Sequence, residues 1–302
     1  MRRSKAIAVL DDALWRYSRV PTAIAFEASF VADAFREALA RVRALNSRPG
    51  FPHSRWAGLD ARDIDDESIA PFPLHSKLVE GGQFEAELAN VLNGQLRWLL
   101  VSAYEAYGRG IRALYGALGY LDRNLWVCDD FGAIAPREIA SMDLPWFEER
   151  ARHVLRRKGV DYALKRMREG LDGLDAAERR DLTKKDHRFW IVIIGLMRHS
   201  IVHSKARLEE PSFWESARTK TGLNEKGSKL LPTKHRQLVL SLTRSRRGFK
   251  EIYLLPRRIP KYPTSSSLVF SLTDLLHVLT DHMCLVYKYG LAHFRKEPYW
   301  MR

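Results

Sequence analysis

A chain of 302 residues, 46% of them hydrophobic, can bury a sizeable core and form one large or two small domains. Its net charge of +14 and pI near 9.9 favour a polyanionic partner, RNA or DNA ahead of a membrane, over the alternative of a merely solvated basic surface. Two cysteines, Cys128 and Cys284, exclude a disulfide framework and a cysteine-based zinc site, so a reducing cytoplasm is the expected compartment.

Residues 5–46 read as two helices. Ala6, Leu10, Leu14 and Tyr17 stripe the first, and Pro21 opens a second that Phe26, Phe30, Ala34 and Leu39 continue. Acidic residues interrupt the N-terminal apolar stretch, so no signal peptide is expected. These residues, 1–48, form an N-terminal helical extension. From Pro49 to Gly82 four prolines and an acidic cluster, Asp60 to Glu67, predict a surface loop or linker, which makes this the best domain boundary.

Residues 83–302 are expected to form the main helical domain, with an insertion at about 209–262. It opens with a long helix over Phe84–Leu121, whose apolar residues from Leu88 to Leu118 recur every three to four positions. Residues 122–145 look irregular, and the adjacent Asp129 and Asp130 suit turn chemistry better than a metal site. A basic helix is expected from about Pro145 to Glu169. A central one, apolar on all sides over Phe189–Ile194, should run from about Lys185 to His203. Within the insertion, Gln237–Leu242 and Phe249–Leu254 read as a β-hairpin. Its tip carries Arg244, Arg246, Arg247 and Lys250, with Arg257, Arg258 and Lys261 close behind, a patch suited to RNA phosphates; Phe249 and Tyr253 could stack on bases. Ser271 and Asp274 suggest a capping box for a last helix with a stripe from Leu272 to Phe294. There, Asp281-His282 has apolar neighbours and reads as a packed or capping histidine.

The end of the central helix, Arg198-His199-Ser200-Ile201-Val202-His203, carries the most chemistry. A permanent cation and a group that trades protons near neutrality are what metal-free phosphodiester cleavage needs. Spacing alone is weak, since Arg48 and His53 repeat it in a proline-rich loop. On an unbroken helix, residues five apart lie about 140° apart, so either the helix ends between Arg198 and His203 or two chains each contribute a pair. Glu105, on the opening helix, could orient Arg198 or His203; an i,i+4 pair with Arg109 is the alternative. A bland reading also stands, in which Arg198 complements a helix C-terminus and both histidines are surface residues. As a metal pair, His199 and His203 lack a following Glu and a third ligand of recognisable spacing, and no phosphate loop or other cofactor motif is visible. No metal or cofactor is expected.

Arg198, the polar His199 and His203 resemble the signature of the HEPN superfamily, α-helical domains that bind nucleotides and RNA. Val101 to Tyr107, with Glu105, looks like the opening helix of many such domains. The resemblance implies an all-α HEPN-like bundle, here with the N-terminal extension and the small β-hairpin insertion. It further implies a metal-independent endoribonuclease of toxin or antiphage type. Two domains would face each other as a homodimer, with an antitoxin or defence-system protein as a further partner. A non-catalytic RNA- or nucleotide-binding module is the alternative. No membrane partner is expected, because the longest apolar run, Ile191 to Met197, is too short to cross a bilayer.

Overall fold

The computed structural model describes residues 2–46, 53–55, 60–61, 72–73, 78–80, 84–179, 185–208, 210–224, 230–246, 248–255 and 272–294. Among them the chain is mostly helical, with one three-stranded sheet in its C-terminal half. It divides into two compact units, residues 29–95 and residues 1–28 with 96–302. None of the described helices is long and apolar enough to cross a membrane.

The first helix, α1 (Arg2–Asn46), is continuous, not the expected pair. Pro21 removes one amide donor, yet the apolar row Leu10, Ala13, Tyr17, Pro21, Ile24 and Ala28 stays buried straight through it. On either side of it, Ser18 Oγ donates to the Trp15 carbonyl and Thr22 Oγ1 to that of Ser18, each at 3.0 Å. The same register turns Phe26 and Phe30, expected inside, out to solvent. Nothing is described of the Ala34 and Leu39 side chains.

In residues 29–95 the expected linker carries two short antiparallel ladders. Strand β1 (His53–Arg55) pairs with β4 (Leu78–Glu80), and β2 (Asp60–Ala61) pairs with β3 (Phe72–Pro73). Each ladder has only two strands, so both strands are edges and a proline in one is tolerated.

The larger unit is built around α2 (Phe84–Leu121) from Leu96 onward. Its stripe, Leu96, Leu99, Ala103, Tyr107, Ile111, Leu114 and Leu118, is buried as the periodicity predicts. A single 3-10 turn (Arg123–Leu125), α3 (Cys128–Phe131) and α4 (Pro136–Ile139) occupy the stretch that looks irregular. The expected basic helix is two, α5 (Leu144–Lys158) and α6 (Val160–Gly170), broken by Gly159 at φ +77. After α7 (Leu174–Arg179) comes the central helix α8 (His187–His203), in which Phe189, Trp190, Ile191, Ile193, Ile194 and Met197 are all buried. The last helix is α11 (Leu272–His293); Ser271 of its expected capping box lies outside the described residues.

Between α8 and α11 the insertion supplies α9 (Glu210–Thr221), α10 (Thr233–Ser241) and most of the sheet. Gln237 to Ser241, expected as strand, is helix. Its neighbours pack as one: the His235 ring lies 4.6 Å from Phe189, and Arg236 lies over Trp214. The hairpin starts two residues later, with β6 (Thr243–Arg246) on β7 (Phe249–Ile252), and β7 also pairs with β5 (Arg207–Leu208).

Four helices meet on one buried polar chain. The Tyr107 hydroxyl lies 2.8 Å from His282 Nδ1, and His282 Nε2 lies 2.8 Å from the Glu178 carboxylate, whose other oxygen accepts from Arg168 Nε. Tyr107, Glu178 and His282 are fully buried. Burial pushes the His282 imidazole below its ordinary value. Burial alone would raise the Glu178 carboxyl, but His282 and Arg168 outweigh it and hold the carboxyl low. A neutral imidazole that accepts from Tyr107 and donates to a charged Glu178 satisfies every member. His282 is thus packed, as its apolar neighbours suggest.

Candidate functional site

The signature side chains sit where α8 leaves the core. Asp186 caps its start, accepting from the Phe189 amide at 2.8 Å, and the apolar run that follows fixes which residues emerge at the far end. Two turns before that end, Gly195 lets α2 approach closely: a Cβ there would stand 2.7 Å from the Tyr104 hydroxyl. Burial foremost pushes the Tyr104 hydroxyl well above its ordinary value, so it stays protonated beside Arg198.

That approach brings Glu105 of α2 to Arg198, with Arg198 Nη2 2.5 Å from Glu105 Oε1. Both side chains are about a third exposed or more, so the pair contributes roughly 0–1 kcal/mol. Its importance is directional: Glu105 holds the guanidinium through Nη2, while the buried Nε has no hydrogen-bond partner among the described residues. The i,i+4 alternative with Arg109 is not what Glu105 adopts.

The helix runs unbroken through His203, so it does not end between Arg198 and His203. Arg198 faces α2, while His199, Val202 and His203 are exposed. The His199 and His203 rings lie 4.7 Å apart, centre to centre. One chain therefore joins Arg198 to Glu105 and His199 to His203, on separate faces of α8. No cluster of three or more His, Cys, Asp or Glu side chains suited to a metal occurs among the described residues.

Beyond His203 the chain reverses within three residues. The Ser204 and Ala206 amides both donate to the Ser200 carbonyl at 2.9 Å. Lys205 and Ala206 take φ of +51 and +63, left-handed conformations that cost non-glycine residues energy. The Ile252 amide then donates to the Ala206 carbonyl at 3.0 Å, which locks the reversal to β7. The sheet thus begins directly at the exit of the signature helix.

The sheet's charges differ from the expected free basic tip. Glu251, almost fully buried on β7, stands opposite Arg207 on one side and Arg244 on the other. Arg97 Nη2 lies 2.8 Å from it, Arg246 3.6 Å and Arg244 3.8 Å. Lys250 donates to Ser245 Oγ at 2.7 Å. Arg207 covers Phe249 at 4.2 Å and Arg244 covers Tyr253 at 4.7 Å, so these two rings carry arginines on their faces. Several arginines share one carboxylate, and the cluster keeps a net positive charge. Arg247, Arg257, Arg258 and Lys261 lie outside the described residues. Sequence reasoning missed Arg97, Arg207 and Glu251; the alternation Lys250-Glu251-Ile252 was the only local sign of an inward carboxylate.

The chain matches none of the protein-family models, curated proteins or solved structures with which it was compared. The chemistry of the site rests on its own residues.

Proposed function

We propose that the chain is a HEPN-type endoribonuclease that cleaves RNA without a metal, in a cleft shared by two copies. The observation that carries this reading is the end of α8, where Arg198 is oriented by Glu105 while His199 and His203 project into solvent. A face-to-face pair of such helix ends would set the Arg198 of one copy against the His203 of the other. His203 would take the 2′-OH proton as the 2′-oxygen attacks phosphorus and pass a proton to the departing 5′-oxygen. Arg198 would stabilise the charge that builds on the phosphate, and His199 would hold RNA beside it. The arginines around Glu251 would contact neighbouring phosphates. A toxin or antiphage role, with an antitoxin or defence-system partner, belongs to the same proposal.

A second reading, RNA binding without cleavage, is favoured by one observation: Arg198 and His203 occupy different faces within a single chain. Incubating labelled RNA with the wild type, His203→Ala and Arg198→Ala, each with and without EDTA, separates the two. Cleavage is expected in EDTA for the wild type and in neither variant. An equimolar mixture of the two variants should recover part of it. Wild-type RNA binding with no cleavage would establish the second reading. Full activity in His203→Ala would end the first.

A further inference from the structure

We propose that the cavity lined by α3 and α5 is a binding site for a small polyphosphate anion. This site is independent of the RNA reading, since no residue of α8 lines it. The cavity measures about 610 Å³, within the range of about 300–1,000 Å³ typical of small-molecule sites. Arg150, Arg157 and Lys158 supply three permanent cations, with His153 beside them, against a single rim carboxylate, Asp129.

The cations are held from beneath. Asp130 is fully buried and accepts from the Tyr115 hydroxyl at 2.6 Å, the Tyr162 hydroxyl at 2.8 Å and Lys158 Nζ at 3.2 Å. Its backbone carbonyl accepts Arg150 Nε at 2.6 Å, which leaves that guanidinium's two terminal nitrogens for the cavity. Gly132, at φ +76, makes the placement possible: a Cβ there would stand 2.6 Å from Arg150 Nη2. Asp130 therefore organises two cations while neutralising, in part, only Lys158. Neither Arg157 nor His153 has an ion pair among the described residues. The C-terminal dipole of α5 favours cations at Arg157 and Lys158, but Arg150 and His153 lie further back along the helix.

Cations that line one cavity repel one another, and an anion that bridges them lessens the repulsion. Two arginines about two turns apart along α5 suit two or more linked phosphates, because each guanidinium can grip a separate pair of oxygens. The lining holds no Phe, Tyr or Trp, so the phosphates are what it recognises, with Val154 and Ala133 leaving room for whatever carries them.

The test is calorimetric titration of the full chain with pyrophosphate, ATP, AMP and sulfate, alongside alkylation of Cys128, which is exposed at the cavity wall. Pyrophosphate and ATP should bind with similar affinity, and AMP and sulfate at least about tenfold more weakly. Pyrophosphate should slow alkylation of Cys128 and leave Cys284 unaffected. The double variant His153→Ala/Arg157→Ala changes two exposed side chains and should fold normally, yet lose about a hundredfold in pyrophosphate affinity. Arg152→Ala, an exposed arginine outside the cavity, should bind like the wild type. The proposal is overturned if pyrophosphate does not bind, if sulfate binds as well, if ATP binds and pyrophosphate does not, or if the double variant binds unchanged.

Discussion

Two regions of this chain use the same three residue types in opposite ways. At the end of α8, Arg198, Glu105 and His203 stand in contact with water. Between α2, α6, α7 and α11, Arg168, Glu178 and His282 are locked with Tyr107 in a chain that solvent hardly reaches. Composition does not separate them; burial does. In the interior Tyr107, His282 and Glu178 each have a hydrogen-bond partner, so the chain fixes how four helices meet. At the surface the histidines keep nitrogens available to a solute, at little cost in stability.

The sharpest way to break the comparison is to remove one partner from each region. Glu178→Ala should destabilise the fold by about 3–5 kcal/mol, because it strands Arg168 and His282 in the interior; urea or thermal unfolding reads this directly. His203→Ala should shift stability by less than about 0.5 kcal/mol while lowering the proposed RNA cleavage by about a hundredfold or more. Equal stability losses in the two variants would erase the distinction.

Acid should find the interior region first. As pH falls through about 6.5, the unfolded imidazole of His282 takes up a proton that the native one resists, so the unfolded state binds more protons and stability drops. Glu178 acts in the same direction at lower pH, since its native carboxyl stays ionised below the usual carboxylate range. The urea midpoint should therefore decline on acidification, and His282→Gln should remove the part of that decline nearest pH 6. An unchanged slope in the variant would contradict the assignment of a neutral His282.

A smaller effect is expected at the sheet. Glu251→Gln keeps the side chain's shape and releases the arginines around it, so RNA binding should strengthen at low salt. Its dependence on salt should steepen by roughly the equivalent of one further phosphate contact. Smallest of all, Lys205→Gly should stabilise the protein by about 0.5–1 kcal/mol, since only glycine takes a φ of +51 without strain.

How much of this was legible depended on how local each signal was. The stripe of α2 and the apolar run of α8 announced themselves, because each repeats at helical spacing over many residues. Glu105 was picked out as a partner for Arg198, and the two do meet. Pro21 misled because buried neighbours on both sides outweigh one lost amide. Gln237 to Leu242 misled because a short apolar run has no period of its own, and contacts from His235 and Arg236 decide its state. Glu178 and His282 stand 104 positions apart, and nothing in either neighbourhood points to the other. Asp130 looked like a turn residue, since the tyrosines that bury it come from α2 and α6.

The left-handed corner at Lys205 and Ala206 has a consequence for how this protein can change. The strand that anchors the sheet leaves the signature helix after one tight reversal, so the spacing between His203 and the arginine cluster is set there. It does not depend on the long excursion through α9 and α10. Insertions and deletions in that excursion can accumulate across lineages, or be engineered, while the cluster stays in step with the histidine. A single residue added to the corner would shift the whole arginine-bearing sheet at once.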